Sequence, residues 1–226
     1  QTHLVGPGKP LRIAVEKHHI FSMLFWCPPG VGKTSFARIL ANAADAQFVE
    51  LSAVSAGKAD VREIVEHAAL TNAKTVFFLD EIHRFNKAQQ DFLLPYVESG
   101  RISLIGATTE NPSFEIIAPL LSRCRVFVLR ELTNEEMMTV IERAIGSIHA
   151  SIAQDAKDWL AAMANGDARQ AITMIENAFE LYGKLTIETL TNTLQSKHLR
   201  YDKHGEEHFN LISAFIKSMR ASNIDG

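Results

Sequence analysis

Residues 24–35, with the sequence LFWCPPGVGKTS, constrain the fold of this chain more than any other segment. The apolar residues predict a short strand, the Pro- and Gly-rich middle predicts a tight loop, and a helical pattern begins after Lys33. Gly30 and Gly32 let the backbone approach a ligand closely, with N–H groups pointing towards it at the start of a helix. The segment therefore fits a phosphate-binding loop of pattern G-x-x-x-x-G-K-[ST] better than a Pro/Gly turn before an ordinary helix.

The residues of this loop are predicted to hold the triphosphate of ATP. We expect Lys33 to contact the β- and γ-phosphates and the Thr34 hydroxyl to bind Mg²⁺. The predicted nucleotide-binding residues of the loop are Pro28, Pro29, Gly30, Val31, Gly32, Lys33, Thr34 and Ser35.

Cys27 stands where the pattern has its first glycine. A glycine there permits a backbone conformation or a close approach that a Cβ atom obstructs. One hypothesis is a site that still binds nucleotide, with reduced affinity or rate, since cysteine is small and Pro28 and Pro29 already restrict the loop. The other is an oxidisable thiol close to the phosphates, which would make activity sensitive to redox conditions.

Strand and helix patterns alternate from residue 20 to about residue 130. Strands are predicted at 22–26, 47–51, 75–79, 102–107 and 125–129, and helices at 34–44, 60–70, 87–98 and 114–121. Asp60 and Glu63 have the spacing of a capping box at the start of the second helix. Continuous apolar strands between helices predict an α/β fold with a parallel sheet covered on both faces, and a binding site beyond the carboxyl ends of the strands.

Strand patterns are absent after residue 131. Helices are expected near 134–145, 155–164 and 168–182 and after residue 186, with a capping box at Thr133 and Glu136, a stop at Gly166 and a cap at Asp167. The predicted organisation is an α/β core at 1–130, a small all-α bundle at 131–195 and the start of a further helical region at 196–226. The family resemblance given below implies that these are an ATPase core, a lid and the start of a C-terminal oligomerisation region. An apolar helical stripe within residues 206–219 belongs to that last region.

Two further segments place polar residues at the ends of predicted strands. In VFFLDE, residues 76–81, Asp80 is expected to hold Mg²⁺ through its water shell and Glu81 to polarise the attacking water. In GATTEN, Thr109 is placed to hydrogen-bond that water or the γ-phosphate, although a turn rich in small polar residues would have the same composition. His83 follows the two acids, where it is a candidate for orienting the loop rather than for the general base.

Two arginines are candidates for contacts with phosphate. Arg123, in LLSRCRV, precedes the last strand, where it could reach the γ-phosphate of a neighbouring subunit as an arginine finger; a structural salt bridge is the alternative. Arg169, in GDAR, lies in the first turn of a predicted helix, where a cation is electrostatically disfavoured unless an anion compensates it. Lys87, Gln89 and Gln90 begin another helix, and they either face DNA or form a solvated helix face.

Composition limits the possible partners and compartment. The formal net charge of −3 provides no overall electrostatic footprint for nucleic acid, so DNA binding would depend on local patches or on assembly. Two cysteines far apart in the sequence make no disulfide framework and predict a reducing, cytoplasmic compartment. No apolar run approaches the length of a membrane span, so we expect no membrane partner.

Taken together, these motifs resemble those of AAA+ ATPases, and several longer blocks narrow the resemblance. DEIHRFNKAQQDFLLPYVESG, LIGATTENPSF, LLSRCRV, GDARQAI and YDKHGEEHFNLISAFIKSMR are similar to the RarA/MgsA/WRNIP1 family of replication-associated recombination proteins, which are related to clamp loaders. The related RuvB motor shares DEIHR and GATT but not the residues that follow them. The resemblance covers nearly the whole chain.

The resemblance implies a DNA-dependent ATPase that acts at stalled replication forks, DNA ends and single-stranded regions. It further implies homotetramers, a cytoplasmic, nucleoid-associated location and single-stranded-DNA-binding protein as a partner. It gives Lys33, Thr34, Asp80, Glu81, Thr109, Arg123 and Arg169 the roles described above, and it suggests that an N-terminal box before Gln1 and a C-terminal region after Gly226 are missing. The alternatives are a nucleotide-binding, weakly or non-hydrolysing clamp-loader-like subunit, favoured by Cys27, and a branch-migration motor of the RuvB kind.

Overall fold

The computed structural model describes residues 1–71 and 74–201. Within these residues the chain forms two compact units, one of residues 1–140 with 164–170, and a second of residues 141–163 with the chain from residue 171 onward. The predicted boundaries at residues 130 and 195 stay predictions. The apolar stripe expected within residues 206–219 lies outside the described residues, as does nearly all of the region 196–226.

The first unit contains a five-stranded parallel sheet with the strand order β2-β3-β4-β1-β5. The strands are β1 Met23–Trp26, β2 Gln47–Ser52, β3 Thr75–Asp80, β4 Ser103–Thr108 and β5 Arg125–Val128. Each strand lies where its apolar run predicted it, with ends that differ by at most one residue. The parallel α/β sheet expected from the sequence is confirmed.

Eleven α-helices lie within the described residues. They are α1 Thr2–Val5, α2 Pro10–Glu16, α3 Lys33–Ala43, α4 Lys58–Thr71, α5 Lys87–Glu98, α6 Pro112–Glu115, α7 Ala118–Leu121, α8 Asn134–Ser147, α9 Gln154–Ala164, α10 Ala168–Tyr182 and α11 Ile187–Tyr201. The first two were not predicted, and the last four confirm the helical region expected after residue 131. Every helix in the described part of the chain is too short or too polar to span a membrane.

Both faces of the sheet are buried against helices. Successive residues of a strand point to opposite faces, and accordingly Phe77 and Phe78 of β3 belong to two different core clusters. Phe78 packs in the cluster that includes Leu40 of α3, whereas Phe77 packs with Val61 of α4 and Leu93 of α5. The strands are therefore fixed in register by apolar burial on both sides.

The helix predicted at 114–121 is wrong, because two short helices replace it. Ile117, between them, has extended backbone angles of φ −61° and ψ 141°. The buried amide of Gln90 in α5 explains the break: its Oε1 accepts the Ile117 N–H at 2.9 Å, and its Nε2 donates to the carbonyl of Glu115 at 2.9 Å. Nε2 also donates to the carbonyl of Phe85 at 2.9 Å. A distant side chain thus replaces the hydrogen bonds of a continuous helix.

One of the two predicted capping boxes is present. The Thr133 N–H donates to Glu136 Oε2 at 3.0 Å and the Glu136 N–H donates to Thr133 Oγ1 at 3.3 Å, and the hydrogen bond from the Thr133 backbone lowers the pKa of Glu136. At α4 the prediction is wrong, because the helix begins two residues before Asp60. There the Asp60 carboxylate accepts the N–H of Gly57 at 2.7 Å, so Asp60 lies inside the first turn.

Replacement of Gln90 tests whether its amide maintains the break between α6 and α7. Because Gln90 is 1% exposed, Gln90→Leu puts an apolar side chain in a buried position and leaves three backbone groups without their hydrogen-bond partner. We expect a loss of about 2–4 kcal/mol in the free energy of unfolding, measured by urea denaturation. Gln47→Ala, at an exposed position, is the control and should change it by less than about 0.5 kcal/mol. Equal losses in the two variants would contradict the assignment.

Candidate nucleotide-binding site

The strand order brings three polar segments to one edge of the sheet. β4 lies between β1 and β3, with Trp26 paired to Thr108 and Leu79 paired to Gly106. Because all the strands are parallel, their carboxyl ends meet at one edge. The loop after β1, the acids at the end of β3 and Thr109 after β4 are therefore neighbours.

Lys33 is the centre of this arrangement. The residue is 7% exposed, and its Nζ lies 3.4 Å from Glu81 Oε1 and 4.0 Å from Asp80 Oδ1. A buried charge requires a charged partner or hydrogen bonds, because desolvation otherwise opposes it strongly. The two carboxylates supply that compensation, and they hold the ammonium group at the loop where phosphate is expected.

Glu81 reaches Lys33 because its backbone leaves the strand conformation. In a continuing strand, Asp80 and Glu81 would point to opposite faces of the sheet. Instead, Glu81 has left-handed angles of φ 53° and ψ 43°, and its N–H donates to Asp80 Oδ1 at 3.1 Å. Such a conformation costs on the order of 1 kcal/mol for a residue with a Cβ. It directs both carboxylates to one lysine.

Thr109 joins the same group of residues. Its Oγ1 donates to Glu81 Oε2 at 3.5 Å, a long contact on the side of the carboxylate opposite to Lys33. The structure therefore brings together Lys33, Asp80, Glu81 and Thr109, all of which the sequence singled out. Their catalytic roles stay predictions.

The loop between β1 and α3 depends on glycine at two positions. Gly30 and Gly32 have φ values of 72° and 88°, in the region that residues with a Cβ rarely adopt. Gly32 is the N-cap residue of α3, so Lys33, Thr34 and Ser35 form the first turn of the helix. In the rest of the loop, Val31 is buried in the core and Pro29 is exposed. Such a helix N-terminus after a glycine loop suits an anion.

The oxygen donors at this edge fit Mg²⁺. Thr34 lies in the first turn of α3. The Asp80 carboxylate lies 4.0 Å from the Nζ atom of Lys33, which belongs to the same turn. Carboxylate and hydroxyl oxygens, together with the oxygens of a bound triphosphate, are ligands that Mg²⁺ prefers. Thr34 and Asp80 therefore remain the residues proposed to hold the ion.

Cys27 is accommodated without the backbone freedom of glycine. Its φ lies outside the positive range found at Gly30 and Gly32, and its N–H donates to the Thr108 carbonyl at 3.1 Å, extending the pairing of β1 with β4. The side chain is 2% exposed and packs in the core. Burial raises the pKa of the Cys27 thiol to about 12. A protonated, buried thiol reacts slowly, which opposes the redox hypothesis.

The start of α10 contacts the phosphate-binding loop directly. The Ala168 N–H donates to the Gly30 carbonyl at 3.2 Å, and a Cβ added to Gly30 would overlap the Asp167 carboxylate. Asp167 also caps α10, as predicted, by accepting the Gln170 N–H at 2.9 Å. Arg169 is thus in the first turn of a helix whose N-terminus rests on the loop. The sequence predicted the cap but not this contact.

Arg123 is held within its own chain. Its guanidinium forms an ion pair with Glu98 at the end of α5 and donates to the Pro119 carbonyl at 2.7 Å and to Ser122 Oγ at 3.2 Å. This matches the structural salt bridge considered as the alternative to an arginine finger. The pair is partly exposed, with 39% and 47% of the two side chains accessible, and such pairs contribute little to stability. A role towards a neighbouring subunit therefore stays open.

The residues considered for DNA contact at the start of α5 differ from each other. Gln90 is buried and cannot face DNA or solvent, so for this residue both interpretations are wrong. Gln89 forms a capping box with Asn86, in which the side chain of each residue accepts the N–H of the other at 3.0 Å. Lys87 is exposed.

Chemical labelling tests the environment of Cys27. Because burial disfavours the thiolate, we expect no reaction of the native chain with a thiol reagent at pH 8 on the timescale that labels a small-molecule thiol completely. Cys124, whose pKa is also raised to about 12 by burial, should behave likewise. Both thiols should react at once in urea. Rapid labelling of Cys27 in the native chain, identified by mass spectrometry, would show that the thiol is accessible and reactive after all.

Comparison with known proteins identifies the family to which this chain belongs. Residues 23–132 match the ATPase family associated with various cellular activities (AAA), and residues 146–220 match the AAA C-terminal domain. The chain is 42% identical over 241 residues to replication-associated recombination protein A of Haemophilus influenzae, covering 100% of this chain and 54% of that protein. It is 40% identical over 233 residues to ATPase WRNIP1 of Dictyostelium discoideum, covering 89% of this chain and 27% of that protein.

A solved structure has the same fold. The RuvB Holliday junction branch migration motor of Thermotoga maritima aligns with a TM-score of 0.69 over 93% of this chain and 73% of that chain, at 24% identity. The likeness at this identity concerns the fold alone. The chain spans about half the length of the bacterial relatives that it matches. AAA ATPases typically bind ATP with Mg²⁺ and hydrolyse it. This chain belongs to the AAA+ ATPases of the RarA/MgsA/WRNIP1 family.

Proposed function

We propose that this chain hydrolyses ATP at the edge formed by β1, β4 and β3, and that it uses the reaction to act on DNA at stalled replication forks or DNA ends. The observation that carries the proposal is the convergence of Lys33, Asp80, Glu81 and Thr109 within hydrogen-bond or ion-pair distance. A cation for phosphate, a carboxylate for a metal, a second carboxylate for water and a hydroxyl to align it are the groups that phosphoryl transfer to water requires.

Binding of a triphosphate would exchange the partners of Lys33. The ammonium group now compensates Asp80 and Glu81, and a bound phosphate would compete with these carboxylates for it. The amides of the glycine loop and the N-terminus of α3 would hold the phosphate oxygens. Bound Mg²⁺, held by Thr34 and Asp80, would supply positive charge for the developing negative charge. Lys33 thus changes from an internal counter-ion to a phosphate ligand.

Release of Lys33 would free one oxygen of Glu81. Oε1 is the oxygen that faces Lys33, whereas Oε2 faces Thr109. The freed Oε1 is available to accept a proton from water, with Thr109 positioned beside the carboxylate to align that water. Glu81 therefore acts as the general base and Thr109 as the residue that positions the nucleophile.

Two arginines would complete the site in an assembly. Arg169 lies two residues after the contact of Asp167 with Gly30, where it could bind phosphate from the α10 side. Arg123 would leave its ion pair with Glu98 and reach the γ-phosphate of an adjacent subunit. Because the ion pair is exposed and weak, a triphosphate competes with it at modest free-energy cost. This role requires a homo-oligomer, and from the family resemblance we infer a tetramer for the full-length protein.

The DNA substrate and the cellular partners are inferred from the family. Relatives named replication-associated recombination protein A support a role in replication and recombination. Within that role, we infer from the family resemblance that the chain acts at forks, ends and single-stranded regions, in the cytoplasm with the nucleoid. Single-stranded-DNA-binding protein is the proposed protein partner. Exposed Lys87 at the start of α5 is the one residue of the earlier candidates that still suits contact with DNA.

Glu81→Gln separates nucleotide binding from hydrolysis. The change removes the proposed base while keeping a side chain of nearly the same shape, so we expect ATP turnover to fall about 100-fold or more. Affinity for a fluorescent ATP analogue should be retained, whereas Lys33→Ala should lose it. Phosphate release and fluorescence titration measure the two properties.

The same assay discriminates the alternatives. Turnover should rise when forked DNA is added to the unaltered chain, and Lys87→Glu should reduce this rise without changing turnover in the absence of DNA. Nucleotide binding without measurable turnover would favour the non-hydrolysing clamp-loader-like subunit. Greater stimulation by four-way junctions than by forks would favour a motor of the RuvB kind.

Mixing two inactive variants tests whether Arg123 acts on a neighbouring subunit. An Arg123→Ala subunit keeps its own Glu81, and a Glu81→Gln subunit keeps its arginine. If the two residues of one site come from different subunits, equal mixing restores roughly a quarter of the sites. Recovery of phosphate release on mixing is therefore expected. No recovery, with assembly confirmed by light scattering, would place Arg123 outside the neighbour's site.

A further inference from the structure

His83 connects the end of β4 to Glu81. This histidine lies in the single 3₁₀ turn Ile82–Arg84 that follows Glu81, and its side chain is 9% exposed. Its Nδ1 lies 2.9 Å from Thr108 Oγ1 and 3.3 Å from Glu81 Oε2. One ring nitrogen therefore faces both a hydroxyl of β4 and the carboxylate proposed as the general base.

The Thr108 hydroxyl is fixed by its own neighbours. Thr108 is fully buried, and its Oγ1 accepts the Glu110 N–H at 3.0 Å and donates to the Glu110 carbonyl at 3.3 Å. A hydroxyl has one hydrogen. When that hydrogen is donated to the Glu110 carbonyl, the Thr108 hydroxyl accepts a hydrogen bond from His83 Nδ1. Thr108 is thus a rigid anchor for the imidazole.

The Glu81 carboxylate imposes the same tautomer. An ionised carboxylate only accepts hydrogen bonds, so a lone pair on Nδ1 at 3.3 Å from Glu81 Oε2 would be repelled. A hydrogen on Nδ1 can be donated to Thr108 Oγ1, and it removes the repulsion from the Glu81 carboxylate. The tautomer is set by these two neighbours, as is usual for a histidine that orients another group.

We infer that His83 is a positioning residue for ATP hydrolysis, which holds Glu81 Oε2 against the end of β4 so that Oε1 alone is presented to water. The inference rests on the proposed function of Glu81 as the general base. In the structure Lys33 contacts Oε1, whereas His83 and Thr109 contact Oε2. When phosphate takes Lys33, the carboxylate loses one restraint and keeps the other two. Of these two contacts, the one with His83 is shorter. His83 is also held by the buried hydroxyl of Thr108.

This role explains how a carboxylate on a left-handed residue keeps one orientation. Glu81 stands between β3 and the 3₁₀ turn, so neither element fixes the direction of its side chain. Without His83, and with Lys33 bound to phosphate, its rotamers would be limited by the long contact with Thr109 alone. A misplacement of about 1 Å can lower a rate by ~100-fold.

Substitution of His83 gives a kinetic test. His83→Ala should lower kcat for ATP hydrolysis by about 10- to 100-fold while the Kd for a fluorescent ATP analogue stays constant. His83→Asn should recover part of kcat, because its Nδ2 is bonded to Cγ as Nδ1 is, whereas His83→Gln places its amide one bond further and should not. His19→Ala, at an exposed histidine near the amino ends of the strands, is the matched control.

A spectroscopic test is independent of turnover. The ¹⁵N chemical shifts of the His83 ring in the unaltered chain should show a protonated Nδ1, and Glu81→Gln should change that signal. An unprotonated Nδ1 would overturn the inference even in an active protein. So would a His83→Ala variant with unchanged kcat, provided that Glu81→Gln is inactive. If Glu81→Gln is itself fully active, the proposed function fails instead.

Discussion

Among the described residues, Lys33 is the only Lys, Arg, Asp or Glu whose side chain is buried. Its positive charge determines which side chains must lie beside it. Removing an ammonium group from water costs several kcal/mol unless nearby charges compensate it. Compensation comes from Asp80 and Glu81, which must both face the loop. The left-handed backbone of Glu81 and the position of β3 beside β4 meet this requirement. In the structure, the carboxylates serve first as counter-ions for the lysine.

Cys27 shows which part of the phosphate-loop pattern is a backbone requirement and which is not. Gly30 and Gly32 have positive φ values, and at Gly30 the neighbouring Asp167 leaves no room for a Cβ. Cys27 has neither restriction, because its N–H continues the pairing of β1 with β4 and its side chain enters the core. The first position of the pattern behaves here as the last residue of the sheet. A small apolar side chain is sufficient there.

Much of the fold could be predicted because its signals are local. Buried parallel strands are continuous apolar runs, so their positions were found within one residue. The break between α6 and α7 could not be found locally, because it depends on Gln90, about 25 positions away in the chain. In the sequence, Gln90 has the character of a polar residue on the surface of a helix. The helices α1 and α2 are four and seven residues long, too short for a helical period to be recognised in the sequence.

The residues of the candidate site could be predicted for a similar reason, whereas the contacts that restrain the candidate residues could not. Lys33, Asp80, Glu81 and Thr109 each lie at or after the carboxyl end of a strand, so the rule for parallel sheets predicts that they meet. The partner of another candidate, Arg123, could not be predicted in this way, because Glu98 holds it from the end of a different helix. The spacing of motifs along the sequence identifies the reactive side chains. The partners that hold those side chains in place depend on tertiary contacts.

The contact between the loop and α10 has a consequence for the ATPase cycle. The Gly30 carbonyl accepts a hydrogen bond from Ala168, and the Asp167 carboxylate covers the Cα of Gly30 while capping the helix. A phosphate bound at the loop would bring negative charge towards this carboxylate and attract Arg169, two residues further on. These opposite forces act within the first turn of α10, a helix that begins in the first compact unit and continues into the second.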